Sequence, residues 1–166
     1  NGVVQVQADA GAYELSINVT AGSTVTMDTT TINMGNYHKF TIKATTSTSA
    51  SYSFAGATIL NADPTLNDIG AAISSLTFSG CKEIVKNSCD LSGGGCVLDA
   101  CVDTYCVTVT TQAEFEDLKN VSFTNNNYSI RITGNHGGAT WSLSGATVSG
   151  GTGSYDIRYE GTGTLT

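Results

Sequence analysis

Short runs of alternating apolar and polar residues fill this chain, and their period of two is that of a half-buried strand. Phe40, Ile42 and Ala44 alternate with Thr41, Lys43 and Thr45. Tyr128, Ile130 and Ile132 repeat that inward set, with Arg131 standing where Lys43 stands. Leu76 and Phe78 match Ile157 and Tyr159 in the same way. Taken in order, FTIKAT (40–45) parallels YSIRIT (128–133), YSFAGATI (52–59) parallels WSLSGATV (141–148), and SLTFSG (75–80) parallels DIRYEG (156–161). This reads as a two-fold internal repeat of one β-unit. The phase slips at Gly56 and Gly145, as at a β-bulge. Ile32–Met34 and Val121–Phe123 lead into turns at Gly35-Asn36 and Asn125-Asn126-Asn127, with VTMDTT (25–30) and VTVTT (107–111) before them. The expected fold is all-β, a β-sandwich-like single domain over residues 1–166 built from two β-meanders. The first repeat half spans 20–80, a disulfide-rich insert spans 81–106, and the second half spans 107–166.

Two short helices are expected on this frame. Asp63 suits an N-cap and Pro64 a first helical position, with Leu66, Ile69, Ile73 and Leu76 at helical spacing. Thr111-Gln112-Ala113-Glu114 is a capping box ahead of Phe115 and Leu118. The first residues stand outside the repeat. Val4, Val6 and Ala8 alternate with Gln5, Gln7 and Asp9, and Asp9-Ala10-Gly11 separates them from a stronger strand at Tyr13, Leu15, Ile17 and Val19. A terminal strand of this kind either pairs within its own sheet or completes the sheet of a neighbouring molecule, covering an exposed edge with main-chain hydrogen bonds. The second reading makes residues 1–8 a donor strand, with Val3, Val4, Val6 and Ala8 as the subunit interface.

Composition narrows the function. Charged residues are 13% of the chain against roughly 25% in ordinary soluble proteins. Polarity comes instead from 25 Thr and 17 Ser, as strand faces and turns require. A net charge of −7 argues against nucleic acid, whose phosphates need a basic surface. No run of 18 apolar residues is present, so no membrane-spanning helix is expected. The chain opens at Asn1 with no signal-peptide pattern, which reads as a mature secreted protein. Cys81, Cys89, Cys96, Cys101 and Cys106 all fall in one stretch, without the spacing of a zinc site or a Cys-x-x-Cys motif. Two disulfides, with one sulfur left over for burial or an interchain bond, are expected there.

Candidate chemistry is sparse. His38 shares the inward parity of Phe40. His136 lies in GNHGG (134–138), read as an exposed turn. Glu114, Glu116 and Asp117 read as a solvated first helical turn rather than acid–base machinery. Asn61, Asp63, Asn67 and Asp68 offer oxygen ligands without EF-hand spacing. No catalytic residue, cofactor or metal is therefore expected, and the chain is not expected to be an enzyme. Asn18, Asn120 and Asn127 head glycosylation sequons, in a number that so Ser/Thr-rich a chain reaches by chance. Asn18 lies opposite the inward parity of its strand, hence outward.

A tandem β-unit with few charges and an alternating terminal strand is similar in kind to donor-strand pilins and other secreted β-filament proteins. The resemblance implies an extracellular or cell-surface structural protein, a filament subunit whose partner is another copy of itself, with glycans as a second partner class. The alternative is a secreted carbohydrate-binding or adhesive β-domain using rings at Tyr37, Tyr52, Tyr105, Trp141 and Tyr155. A secreted hydrolase built around His136 is a third class.

Overall fold

Among the described residues every strand pairing is parallel. The computed structural model describes residues 3–5, 13–19, 24–44, 51–67, 72–87, 89–136 and 140–162. Among them the chain runs through β1 (Val3–Gln5), β2 (Glu14–Val19), β3 (Thr24–Thr26), β4 (Thr31–Ala44), β5 (Ser51–Ser53), β6 (Ala57–Asn67), β7 (Leu76–Ser79) and β8 (Val85–Asn87). It continues through β9 (Val97–Asp99), β10 (Tyr105–Val109), the helix α1 (Gln112–Glu116), β11 (Ser122–Thr124), β12 (Tyr128–Ile132), β13 (Thr147–Ser149) and β14 (Ile157–Tyr159). Parallel neighbours cannot be joined by a hairpin, so the chain winds as a solenoid and stacks coil on coil. A single coil takes from 19 residues, Ala57 to Leu76, up to 28, Val3 to Thr31.

The first face carries β1, β4, β6, β7, β9, β11 and β13 in that order. The second face carries β2 against the later half of β4, then the later half of β6, then β8. The N–H of Ile84 donates to the carbonyl of Cys106 at 2.8 Å, which carries the second face on to the β10–β12–β14 sheet. The third face starts with the β3–β5 pair. Further on it is held by single bonds, Ile73 N–H to Asp90 O and Leu91 N–H to Asp117 O, and by α1.

The sandwich of meanders is thus replaced by a parallel solenoid, and only the all-β class of the sequence reading stands. The reason lies at the corners. Thr29, Gly56, Ser75, Gly95, Asn120 and Gly145 enter successive strands of the first face with φ between +56° and +76°. Asn61, Gly80, Ala100, Asn125 and Gly150 leave them with φ between +49° and +68°. Each such residue turns the strand onto the next face without reversing it. The glycines that suggested hairpins and bulges are corners of this kind. Gly56 and Gly145 do occupy equivalent places, ahead of β6 and β13, and 40–44 and 128–132 both lie on the second face. The third pairing of segments fails, because Leu76–Ser79 is on the first face and Ile157–Tyr159 on the second.

Inward side chains stack in register. Ile32, Ile59, Phe78, Leu98 and Phe123 form one buried column, continued by half-buried Val148. Outward, Thr31, Thr58, Thr77, Val97, Ser122 and Thr147 form a second column, which explains the abundance of Thr. The helix expected at Asp63-Pro64 is strand β6 instead. Pro64 has no N–H, and it sits one residue before the pairing of β6 with β8 begins at Thr65. The Thr111 capping box is formed as expected, with Phe115 and Leu118 buried under α1. Residues 81–106 are part of the coil rather than an insert, since β9 lies between β7 and β11 in the first sheet.

Candidate functional site

The most irregular backbone lies where β4 passes from the first face to the second. Asn33 pairs with Leu60 and His38 with Ala62, so four residues of β4 stand against the single corner residue Asn61. Met34 is fully buried and pins the start of this bulge, while Gly35, Asn36 and Tyr37 follow with φ of 55°, 44° and 56°. The Asn33 side chain holds the turn by accepting from the N–H of Gly35 and from Asn61 Nδ2, both at 3.1 Å. A positive φ is easy for Gly and tolerable for Asn, but for a bulky ring it is strain of order 1–3 kcal/mol. The strained residue is Tyr37, and its side chain is 37% exposed.

Beside the bulge is a cleft of about 370 Å³ lined by Tyr13, Glu14, Tyr37, His38, Lys39 and Asp63. Glu14, Lys39 and Asp63 are register partners on three successive strands of the second face. Asp63 is 3.9 Å from Lys82, and Glu14 Oε1 accepts from Thr41 Oγ1 at 2.9 Å. The His38 ring meets the Tyr13 ring edge-on at 5.6 Å. Its Nδ1 accepts a long hydrogen bond of 3.4 Å from the Tyr13 N–H, while its Nε2 is buried with no hydrogen-bond partner. A ring that accepts at Nδ1 carries its proton on Nε2, so an N–H donor is left unsatisfied here.

The cysteines depart from expectation. Cys101 and Cys106 form the one disulfide among the described residues, while Cys81 and Cys96 are free thiols and all three of Cys81, Cys89 and Cys96 are buried. Cys96 occupies the inward position that Leu76 fills on the preceding coil, so it serves as a small core residue. Burial outweighs backbone hydrogen bonds from Ala62, Ser79 and Asn61 and pushes the Cys81 thiol up to about 11. Burial likewise raises Cys96. Thiols that are neither exposed nor ionised are inert. Iodoacetamide should therefore leave Cys81 and Cys96 unlabelled in the native protein, label both after unfolding, and label Cys101 and Cys106 only after unfolding with reduction, as read by peptide mass. Labelling of Cys81 or Cys96 in the native state would place that thiol outside the core.

The strand expected to leave the chain is paired within it, Val3 to Thr31, Val4 to Ile32 and Gln5 to Asn33. Val6 and Ala8 lie outside the described residues. Among the sequons, Asn18 is exposed on β2 and Asn127 is half-buried. Asn120 is a corner residue whose side-chain amide donates to the Ser92 carbonyl at 3.0 Å. His136 is buried rather than exposed. Its Nε2 lies 2.6 Å from the Thr133 carbonyl and its ring packs 4.3 Å from Trp141, so the geometry is that of a packing residue. Of the side chains weighed as cation ligands, Asn61 donates its Nδ2 to Asn33, Asp63 lies 3.9 Å from Lys82, Asn67 accepts from Asn87, and Asp68 lies outside the described residues.

The remaining rings form a row on the second face. Tyr105, Tyr128 and Tyr155 follow one another at 5.4 and 6.5 Å with interplanar angles of 31° and 19°. Stacked on each other, the inner rings offer edges rather than faces. Arg131 lies over Tyr105 at 5.2 Å, and Glu160 accepts from Arg131, Arg158 and the Tyr105 hydroxyl. Those bonds, that of Arg131 first, hold the Glu160 carboxyl below its usual range. The side chain of Tyr52 is outside the described set, and Trp141 is half-buried against Phe115 at 5.2 Å.

Sequence reasoning located Tyr37 as an exposed ring and Gly35-Asn36 as a turn, but it did not bring them to Tyr13, His38 and Asp63. The usable signal was the length of β4 between Asn33 and His38, three residues longer than the matching stretch of β6. No family model, no curated protein and no solved structure matches this chain, so its geometry alone carries the functional reading.

Proposed function

We propose that the protein is an extracellular structural subunit that polymerises with copies of itself, by exchange of the β1 strand rather than by donation of a free tail. The observation that carries this reading is the docking of β1 at the end of the nine-stranded sheet through three residue pairs with Thr31–Asn33. Each hydrogen bond there contributes about 0.5–1.5 kcal/mol. The same bonds form when β1 of one copy lies on β4 of another, so exchange loses no contacts and links molecules end to end. The low charge, the Cys101–Cys106 disulfide and the hydroxyl-rich first face suit an oxidising, extracellular setting. Glycans form a second partner class, with Asn18 the sequon best placed to carry one.

Deleting residues 1–8 should leave a folded, disulfide-bonded monomer that no longer forms filaments in electron micrographs. Adding the peptide NGVVQVQA in excess to the full chain should shorten the filaments by capping the acceptor edge. A full-length protein that stays monomeric at all concentrations would overturn the proposal. So would a deletion variant that polymerises as before.

A further inference from the structure

The bulge in β4 is an expensive feature. It places Tyr37 in the left-handed region beside a cleft that Tyr37, His38 and Lys39 help to line, and the Nε2 of His38 is buried without a hydrogen-bond partner. Strain and an unsatisfied buried donor persist where the surrounding structure uses them. The lining indicates what the cleft would hold. Two tyrosine rings, 43% and 37% exposed at Tyr13 and Tyr37, give apolar walls with hydroxyl tips. Glu14 and Asp63 are acceptors, whereas Lys39 is a donor. The charged lining residues are Glu14, Asp63 and Lys39, with Lys82 3.9 Å from Asp63, so no excess positive charge is present to hold a phosphate or a carboxylate. Aromatic walls with donors and acceptors interleaved, and no excess positive charge, complement a molecule that has apolar C–H faces and several hydroxyls.

We propose that this cleft binds a neutral saccharide unit. Tyr13 and Tyr37 pack on its C–H faces, Lys39 donates to a ring or hydroxyl oxygen, and Glu14 and Asp63 accept from hydroxyls. The site is separate from the pairing that filament formation would use, because β1 pairs with Thr31–Asn33 whereas the described lining of the cleft on β4 is Tyr37, His38 and Lys39.

The test is titration of the full chain with methyl glycosides of glucose, galactose, mannose and N-acetylglucosamine, followed by the imidazole nitrogen resonances of His38. At least one glycoside should shift them saturably, with a Kd near about 1 mM. Tyr37→Ala, and independently Tyr13→Ala on another strand, should weaken that binding about tenfold or more while the far-ultraviolet circular dichroism stays unchanged. Tyr155→Ala, which removes an exposed ring elsewhere, should leave it as it was. The proposal falls if none of the four glycosides moves the His38 signals at tens of millimolar. It also falls if inorganic phosphate or acetate shifts them in their place, or if Tyr155→Ala weakens binding as much as Tyr37→Ala does.

Discussion

Phe78→Ala should lower the unfolding free energy by about 3–5 kcal/mol, read as a shift of the guanidinium midpoint. Phe78 is 1% exposed and lies mid-column, between Ile59 on one coil and Leu98 on the next. A solenoid has no other layer to close over the gap, since each coil touches only its neighbours. The missing ring would therefore weaken both contacts at once, and the rigid parallel ladders on either side limit collapse. Its neighbour Thr77 points outward between Thr58 and Val97. Thr77→Ala should change stability by about 0.5 kcal/mol or less. If the two substitutions have equal effects, the inward column is assigned to the wrong parity. In a two-sheet sandwich the same contrast would be expected, so the decisive partner is Leu98. Leu98→Ala should be strongly non-additive with Phe78→Ala, because the two side chains share one cavity.

Asp117→Ala should cost about 3 kcal/mol, an unusual loss for a residue just past a five-residue helix. Its carboxylate lies 2.8 Å from Lys86 Nζ, and the Lys86 side chain is only 1% exposed. The ammonium has one further partner, the Cys89 carbonyl at 3.3 Å. Removing Asp117 takes away the hydrogen-bonded counter-ion of a buried ammonium and leaves it the electrostatic interaction with Glu114, so the costly half of the pair stays buried. Lys86→Met keeps the apolar stem and removes the charge, so it should be nearly neutral, and Asp117→Ala made on that background should lose most of its effect. Thermal unfolding of the four proteins checks this. If Asp117→Ala is as harmful with Met at 86 as with Lys, the aspartate acts through the helix end and not through the ion pair.

The strands themselves were legible, because alternation of Phe40 with Thr41 or of Ile130 with Arg131 reports a half-buried surface whatever its partners are. Their partners were not legible. Parallel and antiparallel strands show the same alternation when one face is solvated, and the glycines between them look like hairpin glycines. What distinguishes a corner is its recurrence, five residues apart on each coil: Gly56 and Asn61, Ser75 and Gly80, Gly95 and Ala100, Asn120 and Asn125, Gly145 and Gly150. GATILN, SLTFSG, GCVLDA, NVSFTN and GATVSG are one motif, hidden because Ser, Ala and Asn replace Gly at several corners and because coil lengths vary. The cleft was less legible still. Tyr13 immediately precedes β2, Tyr37 lies on β4 and Asp63 on β6, and only the parallel register brings them together.

The corners also shape how such a chain can change over generations. Asn120 and Gly145 have the same backbone conformation and enter strands that lie side by side. A deletion from 120 through 144 would join Lys119 directly to Gly145, corner for corner, and a duplication of that stretch would insert one more turn in register. Length is therefore a quantity this architecture can gain or lose in whole steps by unequal recombination, while the two ends and the cleft near Tyr37 keep their own sequences.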